Sequence, residues 1–476
     1  MSARRIFAAA LAALPLGAQA FDPAFPFEDP LWTRPPVLES GATLPGDAAP
    51  AVCPAAPDLS QPLALADAVD LALCNNPQIK AAWASIKLQA GAVGEARAAY
   101  LPTITATASR LRTRTAYPDS HVSPTETYGH THYGSFGWRL FDFGGREANR
   151  EAANNLLAAA IASHDAALQK TLGAVVQSYF EAQTARAAVQ ARERSRQIAQ
   201  STLDSAQRRE ARGVASRSDV LQAGTALAKA TLEGNRAAGD YRKALSVLVY
   251  TLGIDPKASV NLAEEADGVS AEAVEDLKGW LAAAQKDHPT IVAARAQWEA
   301  AKKKIVATRS EGLPTIDFSA NAYGNGYPGQ GLSATSSRVN TIGVAVTIPF
   351  FDGFSRTYKI RGAQAQAEQR EAELQDTEHN VLMEVVKAHA DATASLQNLE
   401  ASERLLQAAR ESLSSSQRKY ERGAADILEI LNTQAALSDA QLERIRSLSE
   451  WRSARLRLMA NAGQMGRTQV GGFKNE

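Results

Sequence analysis

Residues 341–356 read TIGVAVTIPFFDGFSR. Ile342, Val344, Val346, Ile348 and Phe350 alternate with Thr341, Gly343, Ala345 and Thr347. A period of two, apolar on one side and polar on the other, is a strand between two unlike surroundings. The strand ends at Phe351-Asp352, and from Arg356 an alanine-rich, charged stretch runs on for about 70 residues without proline. One short segment therefore couples a two-sided strand directly to a long helix.

Residues 131–146, THYGSFGWRLFDFGGR, repeat this pattern 210 positions earlier. Phe136, Trp138 and Leu140 share one side there, and Ser135, Gly137 and Arg139 the other; Phe141-Asp142 with Arg146 matches Phe351-Asp352 with Arg356. The same offset relates Arg212-Gly213 to Arg422-Gly423, Leu221 to Leu431 and Gly253 to Gly463. A constant offset over more than a hundred residues means a duplicated unit.

Upstream, Asn76-Pro77 precedes Leu101-Pro102 by 25 residues, and His288-Pro289 precedes Leu313-Pro314 by 25. Pro77 and Pro289 suit a first helical turn, with Asn76 as a cap. These helices run to about Tyr100 and Gly312, where the coming proline imposes an extended backbone. Ile316, Phe318, Ala320 and Ala322 then oppose Asp317, Ser319 and Asn321, a second strand. Its counterpart, Pro102 to Thr115, is the weakest pattern: Ile104, Ala106 and Ala108 alternate with threonines until arginines intrude. The stretches at about 116–132 and 324–338 are rich in Gly, Pro, Ser, Thr and Asn and read as exposed loops.

Beyond each Phe-Asp pair lies a rod. Leu157, Ile161, His164, Leu168, Leu172, Val175 and Tyr179 recur at helical steps. The ~65 residues from Arg146 to Arg212 would span ~100 Å. Abundant alanine lets neighbouring helices approach closely, as in a coiled-coil wall.

The ends and the composition narrow the setting. Arg4 and Arg5, the apolar run from Ile6 to Leu16, and Ala18-Gln19-Ala20 read as a signal peptide over 1–20, with a mature chain from Phe21. Residues 21–62 hold ten of the 20 prolines, an extended arm whose Phe21, Phe25, Phe27 and Trp32 suggest that it lies along a surface. No apolar run reaches the ~20 residues of a transmembrane helix, so entry into a membrane has to be by strands. The two cysteines, Cys53 and Cys74, lie far from the cleavage site, which argues against a lipid anchor. An oxidising compartment permits one bridge between them, with two separate thiols as the alternative. Across the 476 residues, 51 Lys and Arg balance 51 Asp and Glu, leaving no basic footprint for nucleic acid.

Strands with one apolar and one polar face are those of a membrane barrel. Four strands cannot close around a lumen, so other copies of the chain must complete it. The attached helices would continue the wall as a duct.

The signal peptide, the duplication, Leu-Pro at the helix-to-strand turn, Phe-Asp at the strand-to-helix turn, and Gly followed eight residues later by Leu at each hairpin together resemble the TolC family of outer-membrane factors. The resemblance covers about residues 63–465 and is nearest to the members that serve type I secretion of adenylate cyclase toxin. It implies an α+β membrane protein in the bacterial outer membrane. Each protomer would add four strands to a twelve-stranded barrel in a homotrimer, above a coiled-coil barrel in the periplasm. It also implies docking to a membrane-fusion adaptor and an inner-membrane ABC transporter, with a secreted protein as cargo. Repeat 1 is expected at 63–254 with strands at about 102–143, a linker at 255–275, repeat 2 at 276–465 with strands at about 315–352, and a tail at 466–476. Two other readings stand beside it: an outer factor for small-molecule efflux, and a soluble periplasmic coiled-coil adaptor without membrane strands.

At the hairpins, Gly213 and Gly423 suit the left-handed end of a helix. Ser216 with Asp219, and Asp426 with Glu429, have capping-box spacing. The family resemblance adds a gate at this tip and places Asp219, Tyr420, Glu429 and Asn432 at constriction positions. Three copies of Glu429 facing one axis would favour cations, with a charge that depends on pH. Where some relatives carry a basic residue two positions after the second glycine, this chain has Ala425, so its closing network must differ or be weaker. The small turns Gly213, Val214, Ala215 and Gly423, Ala424, Ala425 are the expected adaptor contacts, or else simply tight turns. His130 and His132 supply too few ligands for a metal. Gly324, Gly326, Gly329 and Gly331 lack the Lys-Ser or Lys-Thr of a phosphate loop. No catalytic motif, cofactor or metal site is expected.

Overall fold

The computed structural model describes residues 61–465 except 117, 119, 120, 122, 264–273, 275 and 326–335. The signal segment, nearly all of the arm with Cys53, most of the linker, the tail, and Gly326, Gly329 and Gly331 lie outside the described residues.

In chain order, α1 (Leu65–Asn75), α2 (Pro77–Ala98), β1 (Thr103–Thr115), β2 (Thr125–Phe141), α3 (Gly145–Ala211) and α4 (Arg217–Leu252) are followed by α5 (Leu277–Asp287), α6 (Pro289–Ser310), β3 (Thr315–Asn325), β4 (Ser337–Thr347), α7 (Ser355–Glu421) and α8 (Ile427–Asn461). The second six elements repeat the first six in kind and order. α3 and α7 have 67 residues each, rods of about 100 Å at 1.5 Å per residue. Among the described residues no helix is long and apolar enough to cross a membrane.

Each unit opens with a short helix, α1 or α5, that stops at the residue before a proline, where the helical backbone is disfavoured. Asn76 then caps α2, its Oδ1 accepting from the Gln78 amide at 2.8 Å. His288 caps α6 in the same way, its Nδ1 accepting from the Thr290 amide at 3.2 Å. An imidazole at this position is an unusual cap.

The four strands form one antiparallel sheet in the order β1-β2-β3-β4. Register places Ile104, Phe136, Ala320 and Ile342 in one row across it, and Trp138, Phe318 and Val344 in another. The opposite face carries Thr105, Ser135, Asn321 and Thr341, with an Arg139–Asp317 ion pair at 2.9 Å. The apolar face is open in the protomer, Ile342 being 75% exposed. β1 and β4 each keep one unpaired edge.

Three details depart from the sequence reading. A bulge between Arg139 and Phe141 sets Phe141 opposite Ile316, so Phe141, not Leu140, continues the apolar row of β2. β4 ends at Thr347, because Pro349 has no amide to donate; Ile348 and Phe350 lie beyond the strand. β2 begins at Thr125, so 125–132, expected as part of a loop, is strand instead, because 108–115 of β1 supply its ladder partners.

The repeated Phe-Asp motif makes the strand-to-helix junction. Asp142 Oδ2 accepts from the Arg146 amide at 2.8 Å, capping α3, and from its Nε at 3.2 Å. The Arg146 guanidinium also donates to the carbonyls of Arg139 at 2.8 Å and Leu140 at 3.2 Å. In the second unit Asp352 Oδ2 accepts from the Arg356 amide at 2.9 Å, and Arg356 Nη1 donates to the Gly312 carbonyl at 2.8 Å. One arginine per junction thus ties strand end to helix start. Phe141, Phe143, Phe350, Phe351 and Phe354 crowd this rim and are all exposed, as in the aromatic girdle of a membrane barrel.

The main core lies midway along the rods. Val69, Leu168, Leu172, Val175, Tyr179, Leu248, Leu252 and Leu456 are buried there. Leu63 bridges Leu262 in parallel, and the Tyr179 hydroxyl donates to the Leu63 carbonyl at 3.2 Å. Of the expected α3 stripe, Ile161 is exposed and Leu157 half-buried. Nearer the sheet, Ala148, Ala152, Ala159 and Ala162 are buried instead, letting α2 and α6 pack close against α3.

Candidate functional site: the helical tips

α3 ends in a tight turn with Gly213 at φ 75°. The Gly213 amide donates to the Glu210 carbonyl at 2.8 Å and the Val214 amide to that of Arg209 at 3.0 Å, closing the end of the helix. Gly423, at φ 73°, ends α7 alike: its amide meets the Tyr420 carbonyl at 3.0 Å, and the Ala424 amide that of Lys419 at 2.8 Å. Val214 is exposed and Ala215 half-buried, so the first turn presents a small apolar knob.

The two restarts differ. Ser216 and Asp219 form a reciprocal capping box: the Asp219 amide donates to Ser216 Oγ at 3.2 Å, and the Ser216 amide to Asp219 Oδ2 at 3.1 Å. In the second hairpin Asp426 Oδ1 accepts from the Glu429 amide at 2.8 Å. The Glu429 carboxylate, however, crosses to α7, where Oε1 accepts from Ser416 Oγ at 3.0 Å and lies 3.5 Å from Lys419 Nζ. The expected second box is therefore only half formed, because a cation on the facing helix competes for the carboxylate.

Tyr420 is 6% exposed and packs with Ile427 and Ile430, against which Ala425 is seated. Arg209 reaches it from the other hairpin: its guanidinium lies 4.4 Å from the ring centroid, and Nη1 donates to the Tyr420 carbonyl at 2.8 Å. Burial raises the Tyr420 pKa above that of a free phenol; Arg209 opposes the shift and Asp219 adds to it. Tyr420 Oη and Arg209 Nε are buried without hydrogen-bond partners. Tyr420 and Asp219 thus share a neighbourhood. Glu429 is engaged with Ser416 and Lys419, and Asn432 is exposed and lines a cleft.

That cleft, of about 510 Å³, lies between α3, α4 and α8 and is lined by Arg192, Ser218, Leu221, Asn432 and Asp439 among others. Along the adjoining α3–α8 seam, Ser195 Oγ donates to Ser438 Oγ at 3.0 Å, Arg192 Nη1 to the same oxygen at 2.9 Å, and Gln434 Nε2 to Thr202 Oγ1 at 2.7 Å. Within the second hairpin the contact is apolar: Leu406, Ala409, Leu413, Leu437 and Ala440. Water can replace the polar seam contacts at little net cost, but not the apolar ones. The arrangement favours rigid hairpins on a separable seam.

Arg209, Ser416 and Lys419 are not marked by any sequence motif. The 210-residue offset pairs Arg209 with Lys419, and comparing the two would have flagged a duplicated cation with divergent partners. Among the described residues no group of three or more His, Cys, Asp or Glu gathers as a metal site.

Comparison with known proteins places this geometry. Residues 68–253 and 280–464 match the family described as outer membrane efflux protein. Protein CyaE of Bordetella pertussis is 35% identical over 90% of both chains. Outer membrane efflux protein BepC of Brucella suis is 25% identical over 91% of this chain and 90% of its own. The outer-membrane channel OprN superposes with a TM-score of 0.73 at 18% identity, covering 86% of this chain and 94% of that one.

Proposed function

Because the chain belongs to the outer membrane efflux protein family and carries its TolC-like fold, we propose that three copies assemble into a trans-periplasmic export duct. The supporting observation is the sheet: four strands with two bare edges, each unit joined by an arginine-clamped turn to a 67-residue rod. β1 leads away from the helices and β4 leads back, so β4 of one copy meets β1 of the next antiparallel, and closure satisfies every edge. Two copies would give eight strands, a barrel its own side chains nearly fill; three give twelve and leave a lumen.

The duct serves type I secretion of a protein, a toxin by its likeness to CyaE, together with an inner-membrane ABC transporter and a membrane-fusion adaptor. Gly213, Val214, Ala215, Gly423, Ala424 and Ala425 form the tips that the adaptor approaches. Asp219, Tyr420, Glu429 and Asn432 line the constriction, with Arg209 and Lys419 setting the positions of Tyr420 and Glu429. The likeness to BepC supports a second reading, efflux of small molecules through the same duct.

Complementation in a strain lacking the chain tests the two. Restored secretion of a protein toxin without restored drug resistance supports the first reading; the converse overturns it. Cross-linking the working complex and identifying the co-purified adaptor, transporter and cargo tests the partners.

A further inference from the structure

On the sheet face that carries Phe136, Phe318 and Ile342, side chains change character away from the helices. The row Ala106–Gly134–Ala322–Asn340 is followed by Ala108–His132–Gly324–Arg338. Beyond it Arg110 lies beside His130, Arg112 beside Tyr128 and Arg114 beside Glu126. Arg110, Arg112, Arg114, His130, His132 and Arg338 are all exposed. Arg112 pairs with Glu126 at 2.9 Å and lies over the Tyr128 ring at 5.5 Å. Among the described residues Arg110, Arg114 and Arg338 have no carboxylate partner. At the same height the other face of β1 carries Ser109, Leu111 and Thr113, which are uncharged.

Among the described residues four arginines therefore face one carboxylate, all on the apolar, lipid-facing side and all at the end opposite the aromatic rim. Simple solvation of a barrel end would charge both faces. Here charge is confined to the face that meets lipid, where the hydrocarbon stops. We propose that this row binds the phosphate groups of outer-leaflet lipid headgroups. Alternate residues of one strand lie about 6.6–6.8 Å apart and neighbouring strands about 4.8 Å, so adjacent guanidinium forks can hold one phosphate together or two in sequence. Arginine forks match phosphate oxygens in pairs, and Glu126 steadies Arg112 between its neighbours.

The proposal rests on the outer-membrane placement argued above, which membrane fractionation tests independently. Purified trimer in detergent is titrated with diphosphoryl lipid A, with lipid A stripped of both phosphates, and with inorganic phosphate. The expected result is that R110Q/R112Q/R114Q binds diphosphoryl lipid A about tenfold more weakly than the natural chain, as loss of charge-assisted hydrogen bonds dictates. The lysine variant R110K/R112K/R114K keeps an intermediate affinity, and stripped lipid binds all three alike. Trimers that resist dissociation in SDS and conduct normally show that each variant is folded. Equal binding of diphosphoryl lipid by the natural and glutamine chains overturns the proposal. So does equal binding of stripped and phosphorylated lipid, or competition by inorganic phosphate at the affinity of the lipid.

Discussion

Arg209 of α3 lies over the ring of Tyr420 of α7 and hydrogen-bonds its carbonyl, joining the two hairpins near their tips. The carbonyl bond fixes height and the ring contact fixes lateral position. The Tyr420 hydroxyl takes no part, having no partner. Tyr420→Phe is therefore expected to leave single-channel conductance unchanged. Tyr420→Ala or Arg209→Ala removes a desolvated cation–π contact of about 1–2 kcal/mol, enough to shift a closed–open equilibrium about 5- to 30-fold. Planar-bilayer recordings should show a higher open fraction for both alanine variants; low conductance in both would remove Tyr420 from the gate.

Glu429 separates two roles that its position confounds. Its amide is capped by Asp426, and its carboxylate pairs with Lys419. Glu429→Gln should preserve the helix start yet lower the preference for cations, whereas Lys419→Ala should raise it by freeing the carboxylate. Reversal potentials in a KCl gradient measure both. Unchanged selectivity in the two variants would leave Glu429 a structural residue only.

Arg146 and Asp142 have side chains only 14% exposed, and Arg146 also serves two carbonyls of the incoming strand. Arg146→Ala strands a half-buried carboxylate and two acceptors. A loss of about 2–3 kcal/mol is expected, seen as a lower dissociation temperature of the trimer on gels. Arg356→Ala should cost less, since Arg356 and Asp352 are more exposed, at 31% and 36%, and sit 3.8 Å apart.

His288 caps α6 through an unprotonated Nδ1, and burial lowers its pKa from 6.5. The unfolded chain therefore binds this proton more readily than the folded one. Stability from His288 is complete above pH 6.5 and is lost as pH falls from there through the folded value. His288→Asn keeps a neutral cap and should flatten this part of the profile: melting temperatures at pH 7 and pH 5 should differ less in the variant than in the natural chain.

How much of this was legible in sequence depended on whether the signal was local. The alternation from Ile342 to Val346 and the offset linking Asp142 to Asp352 sit on neighbouring residues, so strands, junctions and duplication could be read directly. The bulge that puts Phe141 in place of Leu140 could not, because a slipped register changes no residue type. Ile161 fits a helical stripe yet is exposed, because alanines on another side of α3 form the contact. At the tips Gly213 and Gly423 announce their turns, whereas Arg209 and Tyr420 are 211 positions apart and meet only through packing. The divergent half of each duplicated pair, Arg209 against Lys419, carries the asymmetry of the tips. Periodicity does not report it.

The two bare strand edges carry a genetic consequence. A chain with proline at a ladder position of β1 could still fold its rods and join its sisters, but would leave a seam no neighbour can seal. Mixed at random in equal amounts with sound chains, such a subunit would spare only about one trimer in eight. Damage at the edge should therefore act dominantly, silencing export in cells that still make the sound protein, whereas damage that prevents folding should be recessive.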